Sequence, residues 1–274
     1  VVMLRIFEET SDGLFGLNFD MNDPFFWPIV IVAGLIVIVA VISLFVSIWL
    51  GICYFKFNRK ANSLGKNGQD IARSVLDKNG LEKIAVKCSG SFLFGNSYSH
   101  YFKKVRLRRL TWKKSSVSSL AMAYQKSYLA VLDKENDPDM KKRIVMTPLI
   151  YFGPLAFIPF VLIGLVIDII FLKSGSLVFT LVGAGLGLAF FVLAFVMSLL
   201  VLKTEVKAQQ KALEAMKGDG VSDSDIADCK KLFRLYNIEY VNDMIMALLE
   251  LVLRILQILS SASSSGAFTS SSGD

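Results

Sequence analysis

The chain has 274 residues, 54% of them hydrophobic, with a mean hydropathy of +0.54 and 30 Lys plus Arg against 23 Asp plus Glu. Its charges are separated from long uncharged runs, which excludes an ordinary soluble domain and points to spanning helices joined by polar segments. The single histidine, His100, excludes a conventional multi-histidine metal site. Cys53, Cys88 and Cys229 are widely spaced with no CxxC, which argues against a disulfide framework.

Residues 1–23 carry one basic residue, Arg5, against Glu8, Glu9, Asp12, Asp20 and Asp23, the balance of an extracytoplasmic segment. Residues 24–55 hold no charge, and at ~1.5 Å per residue they exceed the ~30 Å hydrocarbon core, so they are the first expected transmembrane helix. No small-residue cleavage site precedes a soluble domain, so this helix reads as an anchor.

Residues 56–147 form a basic segment, with 20 Lys plus Arg and 7 Asp plus Glu between Lys56 and Pro148, and the positive-inside rule makes it cytoplasmic. Within it, Asn67 to Lys78 has a helical pattern with Ile71, Val75 and Leu76 on one side, stopped by Asn79-Gly80. Ile84 to Cys88 is strand-like, Gly90 to Ser99 turn-like, and His100 to Leu110 alternates basic and apolar residues as a strand with one cationic face. Ser115 or Ser116 caps a helix running to about Leu132, with Val117, Leu120, Ala121, Tyr124, Tyr128, Val131 and Leu132 on one face.

Residues 148–172 form the second expected span, where Pro148, Pro154 and Pro159 predict a kink or local break. Residues 174–202 form the third, with Gly183, Gly185 and Gly187 suited to close helix approach. Residues 203–239 read as a cytoplasmic helical segment and 240–260 as a fourth span interrupted by Asp243, Glu250 and Arg254; residues 261–274 are a Ser-rich tail. The expected fold class is therefore membrane α-helical, with three to four transmembrane helices and a small cytoplasmic α+β domain between the first and second. The N-terminus is expected outside a cell membrane that the chain crosses in several passes.

This order of elements resembles the bacterial neutral zinc metallopeptidase family of membrane proteins. Ala72-Arg73-Ser74-Val75-Leu76, followed by Asn79-Gly80-Leu81, matches that family's A-R-x-x-L helix and its turn. His100, Tyr101 and Val105-Arg106-Leu107 match its D-H-Y-D-P and V-R-L strand, with Ser99 and Phe102 in place of the acids. The family's zinc helix ends in H-E-x-G-H, two histidine ligands flanking a general-base glutamate. It falls here on Tyr124-Gln125-Lys126-Ser127-Tyr128. The later V-E-x-x-A motif, carrying a candidate third ligand, corresponds to Thr204-Glu205-Val206-Lys207-Ala208, with Ala212-Leu213 in register.

Neutral phenols titrate near 10 and are poor zinc ligands, one carboxylate cannot supply three protein ligands, and Gln125 cannot accept a proton as a base. The resemblance thus implies a peptidase-like fold with degenerate positions Tyr124, Gln125 and Tyr128, Glu205 retained, and neither catalytic residue, metal nor cofactor. Read without it, Tyr124 and Tyr128 are core aromatics, Glu205 pairs with Lys203 or Lys207, and His100 is structural. Asp168, at the outer end of its run, reads as interfacial.

The cationic group Lys103, Lys104, Arg106, Arg108, Arg109, Lys113 and Lys114 is expected to contact an anionic surface, by default lipid headgroups. Nucleic acid is not expected, because no aromatic-basic platform accompanies these charges, and no small-molecule substrate is expected. The leading functional expectation is an inactive metallopeptidase homologue serving as a structural or regulatory subunit among other membrane proteins. The alternatives are an active membrane zinc peptidase with a displaced site, or a dedicated subunit of a transport, energy-coupled or motility assembly.

Overall fold

The computed structural model describes residues 24–90, 95–172 and 178–264. The acidic segment 1–23, the Lys173-Ser174-Gly175 turn and residues 265–274 of the Ser-rich tail lie outside the described residues. The elements in order are α1 (Phe26–Arg59), α2 (Gly68–Lys78), β1 (Ala85–Ser89), β2 (Ser97–Ser99), β3 (Lys104–Arg108), α3 (Arg109–Lys113), α4 (Val117–Lys134) and α5 (Pro138–Ile167). A π-helical turn, Asp168–Leu172, follows, then α6 (Val178–Gly218) and α7 (Asp223–Ser264). The chain divides into two compact units, residues 44–244 and, as the second, residues 1–43 with 245–274. The described part of the second unit is the first half of α1 and the last part of α7, where Ile29 and Leu251 are buried.

Two helices among the described residues are long and apolar enough to cross a membrane, α1 and α6, and a shorter apolar stretch spans Pro159–Ile170. The sequence boundaries near 148, 203 and 240 are not breaks in the helices. α5 begins ten residues before Pro148 because the Asp137 carboxylate accepts from the amides of Asp139 and Met140, both at 3.0 Å, with Pro138 in the first turn. It then runs unbroken through Pro148, Pro154 and Pro159, correcting the expected local break: each proline removes one amide, and the flanking backbone bonds hold the remaining turns.

Of the three glycines expected to admit a neighbouring helix, Gly183 does so, since a Cβ there would lie 2.2 Å from the Phe160 carbonyl oxygen. Gly164 is its counterpart on α5, with a Cβ position 2.2 Å from the Phe179 carbonyl oxygen, whereas nothing lies within 4 Å at Gly185. The same hairpin stacks Phe160 on Phe190 with ring centroids 5.4 Å apart.

Asp168 closes this hairpin. Its carboxylate accepts from the amides of Phe179 and Thr180 at 3.0 and 2.7 Å and from the Thr180 hydroxyl at 2.7 Å, so it caps the start of α6 from the end of the preceding helix. Asp168→Ala is expected to lower stability by about 1–2 kcal/mol, read as the thermal unfolding midpoint in detergent, with Asp168→Asn intermediate. An unchanged midpoint would remove the cap from the account.

The small α+β part follows the local signals. Asn67 caps α2 by accepting from the Asp70 amide at 2.9 Å, and α2 stops at Asn79 before Gly80, whose φ of 62° suits glycine. Ile71, Ala72, Val75 and Leu76 are its buried face. The sheet has order β1-β3-β2, with β1 parallel and β2 antiparallel to β3. Two expectations are corrected. Ser97–Ser99, within the stretch read as a turn, is a strand paired to β3, and the strand read over His100 to Leu110 narrows to Lys104–Arg108. Its first residues form a turn closed from the Lys103 amide to the His100 carbonyl at 3.2 Å, and its last residues enter the α3 helix.

Val105 and Leu107 of β3 face inward onto α4, which is capped by Ser116 through the Ser119 amide at 3.2 Å. α4 is buried on nearly every side rather than on one stripe: Val117 to Gln125, Ser127 and Leu129 to Leu132 are all buried. It is the central rod of a core that also contains Phe57, Leu76, Met216 and Leu232. Cys53, Cys88 and Cys229 are free thiols.

Candidate functional site

On α4, residues four apart share a face and adjacent residues are turned by roughly 100°. Tyr124 and Tyr128 therefore face one way and Gln125 another, and each direction meets a different carboxylate. The Tyr124 hydroxyl donates to Asp219 at 2.7 Å, and burial pushes up the phenol of Tyr128, one turn further along that face, with the Asp219 charge acting the same way. The Gln125 amide donates to Glu205 Oε2 at 2.8 Å.

Glu205 is held from α6 against α4 and α5. Lys126 Nζ donates to the same Oε2 at 2.7 Å, and Arg143 donates to Oε1 at 3.0 Å while also reaching the Thr204 hydroxyl at 2.8 Å. The three charged side chains are only 12% (Lys126), 18% (Arg143) and 16% (Glu205) exposed. Burial pushes the Glu205 carboxyl up, but Lys126 and Arg143 more than offset this and hold it below its ordinary value. The pairing with Lys203 or Lys207 read from sequence is corrected. Those two side chains reach Asp139 instead, and Lys207 also reaches Asp137, tying α6 to the first turn of α5.

Asp219, just past the end of α6, was not singled out by sequence. Burial works against its charge, but Lys78 and the Tyr124 hydroxyl hold its carboxyl below the usual range. Burial likewise pushes the Tyr124 phenol up, reinforced by its bond to Asp219. The signal that points to Asp219 is electrostatic: an acid at a helix C-terminus opposes the macrodipole and needs a compensating partner, here Lys78.

These side chains do not fit a zinc ion, which takes thiolate, neutral imidazole and carboxylate ligands. Tyr124 is a protonated phenol acting as a donor, both Glu205 oxygens are engaged by cations, and Asp219 is paired with Lys78. Among the described residues no group of three or more His, Cys, Asp and Glu side chains is gathered for a metal. His100 Nδ1 lies 2.6 Å from Asp133, which also accepts from Tyr98, so His100 fastens the β2–β3 turn to the end of α4.

Of the cationic group, Arg106 is half-buried on the outer sheet face, Lys103, Arg109, Lys113 and Lys114 are exposed, and Arg108 lines a cavity of about 310 Å³ with Gln125, Lys126, Glu205 and Glu239. The helix that would carry a metallopeptidase site thus lies at the centre of a helical protein with two membrane-length apolar helices. The family model described as "Putative neutral zinc metallopeptidase" matches residues 32–260, and the chain belongs to that family. No curated protein and no solved structure matches the chain.

Proposed function

We propose that this chain is a catalytically inactive member of its family, acting as a structural or regulatory subunit of a membrane protein complex. The observation that carries the reading is the pair of internal ion networks on α4. Lys126 and Arg143 neutralise Glu205, and Lys78 neutralises Asp219, so the chain's own cations stand where a metal's positive charge would be needed. Gln125 supports it further, since a carboxamide donates to Glu205 where the family motif has a base.

The chain crosses the cell membrane in several passes, with residues 56–147 in the cytoplasm. This rests on the two long apolar helices and on the basic excess of that segment.

Metal analysis and peptide cleavage assays on the purified full chain test the first part: substoichiometric zinc and no hydrolysis are expected. Stoichiometric zinc, or hydrolysis abolished by Gln125→Ala, overturns it. Purification in mild detergent from native membranes tests the second: a partner in fixed ratio is expected, and a free monomer overturns the subunit role.

A further inference from the structure

Among the described residues, no carboxylate pairs with the charges on the outer face of the small sheet. Side chains alternate across the pleat, so Val86, Val105 and Leu107 share the inner face while Lys87, Lys104 and Arg106 share the outer one. The register sets Lys87 directly opposite Arg106, with Ser97 opposite Arg106 on the other side and Ser99 opposite Lys104. Like charges placed this way repel. Desolvation, together with the Arg106 and Lys87 charges, lowers the Lys104 ammonium from its ordinary value. Among the described residues, none of Lys87, Lys103, Lys104 and Arg106 makes an ion pair. Among the described residues, Glu205 and Asp219 have their counterions and this face has none.

Beside the charges stand two exposed rings, Tyr101 at 63% and Phe102 at 68%. They are not on a loose loop. Lys103 takes a left-handed φ of 42°, His100 is fastened to Asp133, and the Tyr101 hydroxyl donates to the Ile144 carbonyl at 3.1 Å. Lys104 Nζ sits 4.2 Å from the centre of the Phe102 ring. Rigid aromatics beside basic side chains form the pattern of a membrane-interface contact.

Position supports the same occupant. Ile144, held by Tyr101, begins the apolar run of α5, and Arg108, at the other end of β3, shares a cavity with Val201 and Leu202 of α6 and Tyr240 of α7. The strand thus lies across the ends of three apolar segments, where headgroups stand if those segments cross the bilayer. We propose that Lys87, Lys104 and Arg106, with Tyr101 and Phe102, dock on the anionic phospholipid headgroups of the membrane that holds the chain. The proposal rests on the multi-pass reading and narrows the cationic group of the sequence: Lys87 joins it, and Arg108 is directed to the cavity.

The test uses the full chain in phosphatidylcholine nanodiscs with and without phosphatidylglycerol, read by amide hydrogen exchange over residues 97–108. Co-migration with the nanodisc reports on membrane insertion separately. Exchange is expected to slow with phosphatidylglycerol, to recover in high salt, and to lose roughly fivefold of the lipid effect for each charge removed by Lys104→Gln or Arg106→Gln. Lys87→Gln, at an exposed position, supplies the same measurement if the β3 variants do not fold. Exchange indifferent to phosphatidylglycerol in the inserted wild type overturns the proposal. Slowing by a soluble RNA but not by phosphatidylglycerol also overturns it and reassigns the face to nucleic acid.

Discussion

Replacing Glu205 by leucine is expected to destabilise the protein by ~3–5 kcal/mol, the cost of leaving buried charges without their counterion. The change strands Lys126 and Arg143 beside one another with only the Thr204 hydroxyl left to Arg143, and it frees the Gln125 amide. Glu205→Gln should cost less, because its carbonyl still accepts one of these bonds. Combining Glu205→Leu with Lys126→Met should cost less than the sum of the two single changes, since the second removes a charge the first had orphaned. Thermal unfolding midpoints in detergent across this cycle measure the coupling.

Acid should act in the same direction. Glu205's folded value lies below its ordinary one, so its contribution is present at neutral pH and is lost as pH falls through that depressed value. Glu205→Gln should lack that acid-dependent component. A metal ligand would behave otherwise: a chelator would then destabilise the wild type and leave Glu205→Leu unaffected.

The reason sequence misassigned the partners of Glu205 is geometric. Lys203 and Lys207 are two residues away on the same helix, where side chains point apart. The true partners, Lys126 and Arg143, come from other helices, separated from Glu205 by 79 and 62 residues. What was legible is local: a serine at 115 or 116 announces its helix by capping, and Asn79-Gly80 ends another. What was not legible depends on distant contacts. Ser97-Tyr98-Ser99 alternates over only three residues, too few to announce a strand, and becomes β2 by pairing with β3. His100 leaves the expected strand because Asp133, at the far end of α4, holds it in a turn. The spacing of Tyr124 and Tyr128 was correctly placed on one helical face, but which carboxylate that face meets depends on the turn after α6.

That geometry sets the outcome of rebuilding the family motif. The triple variant Tyr124→His, Gln125→Glu, Tyr128→His would place two imidazoles toward Asp219, because that is where Tyr124 and Tyr128 now lie. Zinc binding is expected to be weak, since Lys78 holds Asp219 and its ammonium repels a dication at close range. Adding Lys78→Ala should release the carboxylate as a third ligand and tighten zinc on the order of tenfold to a hundredfold. Asp219→Ala in that background should abolish the gain, while Lys126→Ala in place of Lys78→Ala should give little, because Lys126 serves Glu205 on the other side of the helix. Zinc titration against a competing chelator measures each step. Tightening that depends on Lys126 and Glu205 rather than on Lys78 and Asp219 would mean that α4 presents its motif toward α6, and would restore Glu205 as the third ligand.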